Sequence, residues 1–289
     1  MSEKRLYEQK AKEAEKMLNE LTLSDNFIFC KVMTNKELCK KVVSEILGEE
    51  ISAIEYPEYE KVLQARYDAK SIRLDVYLKD EKQTVYNIEM QNIKNDCIPK
   101  RGRYYQDLID LDLLEKGAYY GELNKGIVIF ICTFDLYDLG FYKYTFTNQC
   151  WEKPNLQYGD ETTKIIINTK GIKGEISKDL KDFLDAVNGQ FSNSEFSDKI
   201  KAEVERIKRS SDVRREFMAL YLHDEDIRRE GISQGVRESI YELLQDLGEV
   251  PEDVKECIEK EKQTEVLNRW LKLAAKSESI DEFRKETKI

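Results

Sequence analysis

Two carboxylates, Asp75 and Glu89, lie in a segment whose pattern brings them together. The segment reads SIRLDVYLKDEKQTVYNIEMQ, where two stretches of alternating apolar and polar residues flank a short polar turn at residues 80–83. This pattern predicts a β-hairpin. If Asp80 faces Thr84 across the turn, Asp75 faces Glu89, and the two acids lie side by side on one face of the hairpin.

The chemistry open to such a pair follows from its electrostatics. Directly opposed residues have Cβ atoms about 4.5–5.5 Å apart, so two carboxylates repel unless a cation lies between them. Mg²⁺ binds through one or two carboxylates together with waters and phosphate oxygens, and it can lower the pKa of an attacking water. The pair therefore fits metal-dependent phosphodiester hydrolysis, and it equally fits an ordinary amphipathic hairpin whose polar face is wetted by solvent.

A cluster of basic residues follows the hairpin, just before and within a helix predicted over 99–116. Its members are Lys94, Lys100, Arg101 and Arg103. Cations at a helix N-terminus oppose the helix dipole, so this order works against local stability and indicates a function such as holding a phosphate backbone. Tyr104 and Tyr105 can stack on bases, although packing against the sheet is the commoner role for half-buried rings.

Two predicted helices precede the hairpin. The first begins in LTLSDNFIF, where Thr22 and Asp25 have the spacing of a capping box, and it breaks near Thr34. The second runs from Lys36 with apolar residues at helical spacing, and Gly48 is placed as its C-cap. Asp25 can therefore act as a helix cap.

The remaining pattern predicts strands followed by helices. From Ile176 onward the sequence is helical and highly charged, so we expect a mixed α/β core at residues 1–175, including an N-terminal helix, and a charged helical region at 176–289. The strands of the core are predicted at 51–56, 60–67, 71–79, 84–91 and 126–134, and in the stretches FYKYTF and TTKIIINT.

Composition limits the class of protein. Hydrophobic residues make up 40% of the 289 residues and charged residues 36%, which is typical of a soluble globular protein. No apolar run approaches the roughly 18 residues of a membrane-spanning helix. The start, MSEKRLYEQKAKEAEKMLNE, is charged and helical over residues 4–20, unlike a signal peptide. We therefore expect a cytoplasmic protein.

Residue usage also limits the chemistry. His223 is the only histidine, and its YLHDED surroundings indicate a solvated helix rather than a catalytic triad. The six cysteines include no CxxC pair, so we expect free thiols and no zinc finger. Any catalysis must then depend on carboxylates and a metal. The net charge of −10 opposes long-range attraction of nucleic acid, so a DNA partner requires a local basic patch or neutralisation by metal.

The sequence resembles the recombination-promoting nuclease (Rpn) and transposase family of the PD-(D/E)XK nuclease superfamily. The resemblance extends from about Leu21 to the C-terminal region. It is carried, in order, by SDNFIFCKVM, SIRLDVYLKD, YNIEMQ, RGRYYQDLID, the stretch from KGAYY to GIVIFICTFD, YTFTNQC, RREFMALYLHDED and, more loosely, WLKLAAKSESIDEF. The order and separation of these segments make the resemblance specific.

The resemblance implies a restriction-endonuclease-like core, in which a central mixed sheet is flanked by helices. It implies that Asp75 and Glu89 bind Mg²⁺ or Mn²⁺, with Asp25 as a further candidate ligand. Gln91 stands where the superfamily usually has lysine. A glutamine brings no positive charge, but its amide can orient a water or hydrogen-bond to a phosphate oxygen.

The leading hypothesis is a metal-dependent DNA endonuclease of recombination or mobile-element biology. Its catalytic residues would be Asp75, Glu89 and Gln91. Its nucleic-acid-binding residues would be Lys100, Arg101, Arg103 and Tyr105. Two alternatives stay open. The first is a non-catalytic binding or assembly protein that keeps the fold and uses its acidic surface and C-terminal helices to engage a protein partner or to form a homo-oligomer. The second is an RNA-cleaving enzyme, because metal hydrolysis does not itself distinguish sugars.

Overall fold

The structure is a computed structural model that describes residues 3–56, 62–63 and 72–289. The helices of these residues are α1 (Glu3–Glu20), α2 (Asn26–Met33), α3 (Lys36–Leu47), α4 (Ile98–Leu113), α5 (Lys178–Val187), α6 (Glu195–Arg209), α7 (Ser211–Gln245), α8 (Glu252–Lys260), α9 (Thr264–Ala274) and α10 (Ile280–Thr287). The strands are β1 (Ile54–Glu55), β2 (Val62–Leu63), β3 (Ile72–Arg73), β4 (Val76–Asp80), β5 (Val85–Gln91), β6 (Gly126–Cys132), β7 (Lys143–Phe146) and β8 (Thr162–Asn168).

A six-stranded mixed sheet, in the order β1-β4-β5-β6-β8-β7, forms the centre of a compact unit spanning Met17–Val213. Strands β5, β6 and β8 are parallel, whereas β1, β4 and β7 join them in antiparallel pairs. Strands β2 and β3 pair separately. The predicted fold class, a mixed sheet flanked by helices, is confirmed.

Burial of both faces of the sheet explains its apolar central strands. Every residue of β6, GIVIFIC, is buried, as expected for a parallel strand covered on both sides. Helix α4 covers one face, and α2, α3, α5 and α6 pack with one another in the same unit. The core beneath α4 includes Tyr77, Val128, Phe130 and Ile166 from the sheet and Ile98, Tyr105, Leu108 and Ile109 from the helix.

Helices α2 and α3, which precede the hairpin, lie in the segments that the sequence predicts. Helix α3 begins at Lys36 and ends at Gly48, whose φ of 77° is readily adopted by glycine, and both predictions are confirmed. Helix α2 ends at Thr34 as predicted but begins only at Asn26, because Asp25 is its N-cap. The start therefore lies within the predicted segment LTLSDNFIF, with Asp25 rather than Thr22 as the cap.

The β4–β5 hairpin has the predicted register. Val76 pairs with Ile88 and Leu78 with Tyr86. The Asp80 amide donates to the Thr84 carbonyl at 3.1 Å. Continuing this register past the last paired residue places Asp75 opposite Glu89.

One strand of the prediction is divided in the structure. The expected strand 71–79 is interrupted between β3 and β4, and Leu74 packs in the same cluster as Tyr77 rather than on the opposite face. The physical reason lies at Asp75, whose carboxylate accepts the Met90 amide at 3.1 Å and replaces a backbone carbonyl of the ladder. Residue 71 and most of the predicted strand 60–67 lie outside the described residues.

The second compact unit combines the N-terminal residues through Lys16 with Arg214–Ile289. Its core comprises Ile240, Leu244, Val250, Val254, Ile258, Leu267, Trp270, Ala274 and Phe283, contributed by α7 to α10 and the α7–α8 connection. Compact units describe packing rather than domain ancestry, so a domain boundary near residue 175 stays a prediction. Among the described residues, every helix is too short or too polar to cross a membrane.

The turn of the hairpin gives a test of stability. The Asp80 carboxylate accepts the amides of Lys82 and Thr84 and the buried hydroxyl of Tyr86, at 2.9, 2.8 and 2.7 Å. We expect Asp80→Ala to lower the free energy of unfolding by about 2–4 kcal/mol, because it leaves these donors without an acceptor. Chemical denaturation measures the change. Lys82→Ala, at an exposed side chain of the same turn, should change it little; equal losses would contradict this account.

Candidate metal centre

Asp75 lies where β4 begins, and neighbouring groups fix its carboxylate. One oxygen, Oδ1, accepts from Asn26 Nδ2 at 2.9 Å, and Oδ2 accepts from the Met90 amide at 3.1 Å. The side chain is half-buried. Its position therefore depends on α2 as well as on the hairpin.

Glu89 lies in the middle of the buried face of β5. It is 2% exposed. Its Oε1 accepts from the Asp75 amide at 3.3 Å, and its Oε2 lies 3.7 Å from Nη2 of Arg101. Asp75 and Glu89 are thus brought together as the predicted register requires.

The electrostatics of the pair exclude a wetted polar face. Burial raises the pKa of Asp75, while hydrogen bonds from Asn26 and Met90 act against this rise. Burial and, next, the charge of Asp75 raise the pKa of Glu89 to about 8. Asn87, on the same face, is fully buried. The interpretation as a solvated hairpin is therefore wrong, and the two acids repel each other inside the protein.

Arg101 enters the same site from α4. Its Nη1 donates to Gln91 Oε1 and its Nη2 to the Tyr105 hydroxyl, both at 2.8 Å. The Tyr105 side chain is 8% exposed and packs near Phe130. This ring therefore packs in the core, where it cannot stack on a base. Gln91, Arg101 and Tyr105 form one hydrogen-bonded group beside Glu89.

The other basic residues of the cluster lie on the surface. Lys100 and Arg103 are exposed on α4, whose N-cap residue, Cys97, makes no side-chain capping bond. Lys94 is paired with Asp138 at 2.7 Å. The basic helix start is therefore divided between Arg101, turned toward the acids, and Lys100 and Arg103, which face solvent.

Segments distant in the sequence supply residues that sequence reasoning missed. Asp25 caps α2 by accepting from the Phe27 amide at 3.0 Å, and the contact from this helix to Asp75 comes from Asn26 instead. Asn87, by contrast, lies on the same face as Glu89, as the register of the hairpin predicts. No local signal marks Asn26, which is 49 residues from Asp75.

The donor set suits a hard divalent cation. Two carboxylates with waters and substrate oxygens are typical of Mg²⁺ and Mn²⁺ sites, and a cation would relieve the repulsion between the acids. Asn87 is fully buried on the same face as Glu89, and a hydrogen bond from its side-chain amide opposes the rise in the pKa of Glu89. The described residues include no cluster of three or more His, Cys, Asp or Glu side chains able to hold a metal, so the fit depends on the acid pair.

The sequence matches the family described as PD-(D/E)XK nuclease family transposase over residues 26–188. This range is more than half of the chain. The chain belongs to this family. The match contains the hairpin with both acids and helix α4. No curated protein and no solved structure matches the chain.

Family membership agrees with the architecture described above. PD-(D/E)XK nucleases generally use divalent metals, and the family's nuclease fold is present here as a mixed sheet with its flanking helices. The matched range ends at Asn188, just after α5, and so includes the entire sheet. The helices α7 to α10 follow the matched residues.

The raised pKa of Glu89 predicts an unusual dependence of stability on pH. Because its pKa is higher in the folded protein than in the unfolded chain, the folded state binds more protons between about pH 4.5 and pH 8. In EDTA, stability should therefore fall as pH rises through this window. Glu89→Gln removes the titration, so its stability relative to wild type should increase by a few kcal/mol from pH 4.5 to pH 8.

Thermal and chemical denaturation in EDTA across this range measure the difference. Glu115→Gln, which removes an exposed carboxylate, is the matched control and should show no such trend. A constant difference between Glu89→Gln and wild type at every pH would contradict the burial of a charged acid.

Proposed function

We propose that this protein is a Mg²⁺- or Mn²⁺-dependent endonuclease that hydrolyses DNA phosphodiesters in recombination or mobile-element biology. The observation that carries the proposal is the pair formed by half-buried Asp75 and buried Glu89, brought together on a nuclease-family fold. Two neighbouring acids inside a protein cannot both be charged without a cost, so one of them keeps a proton unless a cation joins them. A metal-binding function accounts for that cost.

The chain's residues would divide the reaction between them. A bound divalent ion supplies charge neutralisation of the phosphate and lowers the pKa of an attacking water. Asp75 and Glu89 hold this ion, and Asn26 and the Met90 amide keep Asp75 in place. The water oxygen bonds to phosphorus as one ester P–O bond breaks; the water loses a proton to solvent, and the departing oxygen gains one.

Exposed cations on α4 would hold the nucleic acid. Lys100 and Arg103 lie on the helix that carries Arg101 into the site, so they can contact phosphates flanking the cleaved bond. Their local charge opposes the protein's net charge of −10. Binding should therefore weaken as salt increases, but with a shallow slope, because only a few phosphates are neutralised.

Plasmid cleavage tests the proposal directly. Purified protein should cut DNA with Mg²⁺ or Mn²⁺ and not in EDTA. Asp75→Asn and Glu89→Gln should each lower the rate by at least about 100-fold, since each removes a charge that holds the metal. Asp107→Asn removes an exposed carboxylate from α4 and should retain the wild-type rate.

The outcome also decides the substrate. Cleavage that survives in both Asp75→Asn and Glu89→Gln would refute the proposed metal centre. Cleavage of RNA alone, with DNA left intact under the same conditions, would replace DNA as the substrate and keep the site. Melting temperatures of the variants show whether lost activity reflects lost folding.

A second candidate function is assembly through the C-terminal helices. It is favoured by the separate core of α7 to α10 and by apolar residues on α7 that face solvent, with Ile227 58% and Ile232 49% exposed. Exposed apolar side chains on one helix can associate with a second copy of the chain.

Light scattering after size exclusion tests assembly. The full chain should self-associate. A chain ending at residue 235 should be monomeric, because α7 loses Ile240, Leu244 and the helices they pack against, and Ile227 and Ile232 are then no longer held in place. Ile227→Ser should weaken the association, whereas Gln234→Ala, at an exposed polar position of α7, should not. An unchanged assembly in the shortened chain would exclude this role for the C-terminal helices.

A further inference from the structure

Arg101 differs from the other basic residues of its helix in where its charge lies. Its guanidinium donates to Gln91 and Tyr105 and lies 3.7 Å from Glu89, with 33% of the side chain exposed. Its Cζ is also 5.3 Å from the Tyr105 ring centre and 5.8 Å from that of Phe130. The guanidinium is therefore held in one place between the sheet and α4.

The hydrogen bond to Gln91 gives this placement its meaning. Gln91 lies two residues after Glu89, on the same face of β5. Its amide oxygen accepts a hydrogen bond from the guanidinium of Arg101. Glutamine contributes no charge at this position. The guanidinium joined to it provides a full positive charge beside the acid pair.

We propose that Arg101 supplies the positive charge that contacts the phosphate being cleaved, and that Gln91 and Tyr105 are positioning residues that orient its guanidinium. This inference rests on the proposed nuclease function. Arg101 provides the charge, and Gln91 and Tyr105 orient it. An arginine has five N–H donors in a fixed plane. Gln91 and Tyr105 occupy two of them, which leaves donors for the non-bridging oxygens of a phosphate.

The same placement gives Arg101 a role before substrate binds. In the absence of phosphate, the guanidinium lies near Glu89 and reduces the repulsion between the two acids. Arriving phosphate oxygens offer shorter, charge-assisted hydrogen bonds than the 3.7 Å contact to Glu89. The remaining N–H donors can therefore bind phosphate while Gln91 and Tyr105 keep the guanidinium in place.

Moving the charge back onto the strand tests this role. Arg101→Ala removes the guanidinium, and adding Gln91→Lys to it places an ammonium on β5 instead. If Arg101 acts through its charge, the double variant should recover activity. If Arg101 only packs against the Tyr105 and Phe130 rings, a lysine at position 91 cannot replace it.

The experiment measures Mn²⁺-supported plasmid cleavage and, separately, binding of a short DNA duplex in Ca²⁺. We expect Arg101→Ala to lower kcat by about 100-fold or more, as removal of one charge-stabilising donor typically does. We expect Gln91→Lys with Arg101→Ala to recover to within about 10-fold of wild type. The cleavage rates and the duplex affinities should rank these variants in the same order.

Two matched variants separate this role from general binding of the backbone. Arg103→Ala should raise KM and weaken duplex binding, but it should not lower kcat as Arg101→Ala does. Arg209→Ala removes an exposed arginine of α6, 77% exposed, and should match wild type. Wild-type melting temperatures for all variants would exclude unfolding as the cause.

The inference is overturned if Arg101→Ala behaves like Arg103→Ala, or if Gln91→Lys fails to restore the folded double variant. If the wild-type protein binds the duplex but does not cut DNA or RNA, the proposed nuclease function fails by itself. Duplex binding in Ca²⁺ then decides the phosphate contact: loss in Arg101→Ala and recovery with Gln91→Lys support it, and equal affinities refute it.

Discussion

The repulsion between two carboxylates on neighbouring strands is the constraint on which the site depends. The β4–β5 register, continued by one residue, places half-buried Asp75 opposite buried Glu89, so water screens their charges only weakly. Hydrogen-bond donors and a cation surround the two acids. Asn26 and the Met90 amide bind Asp75, and Arg101 brings a positive charge near Glu89. Helices α2 and α4, from different parts of the chain, are thereby tied to one hairpin.

The sequence predicted those features that depend on local spacing. The register follows from a short turn and the two-residue repeat of a strand, and α3 follows from its apolar spacing and Gly48. The segment in which α2 begins was predicted, but spacing did not choose between Thr22 and Asp25, because both are acceptable caps. The division of the strand at Asp75 was missed because it requires a side chain to replace a backbone partner.

The direction of a helical side chain is a further quantity that spacing does not supply. Lys100, Arg101 and Arg103 appear as one basic cluster in the sequence, but neighbours on a helix point about 100° apart. Gly102 rests on Phe130, with the ideal position of an added Cβ only 3.2 Å from that ring, and so fixes the rotation of α4. This rotation turns Arg101 inward and leaves Lys100 and Arg103 in solvent.

Strand β5 has an antiparallel neighbour, β4, and a parallel neighbour, β6, and this difference affects the order of folding. Its pairing with β4 closes across four turn residues, whereas its parallel pairing with β6 requires α4 and the loop after it to cross the sheet. Hairpins form in about 1–10 μs, and non-local parallel pairs form more slowly. We therefore expect the acids to meet early, while the chain is still hydrated, and to lose their water only when β6 arrives. The late parallel pairing, rather than the hairpin, then carries the electrostatic cost of building the site.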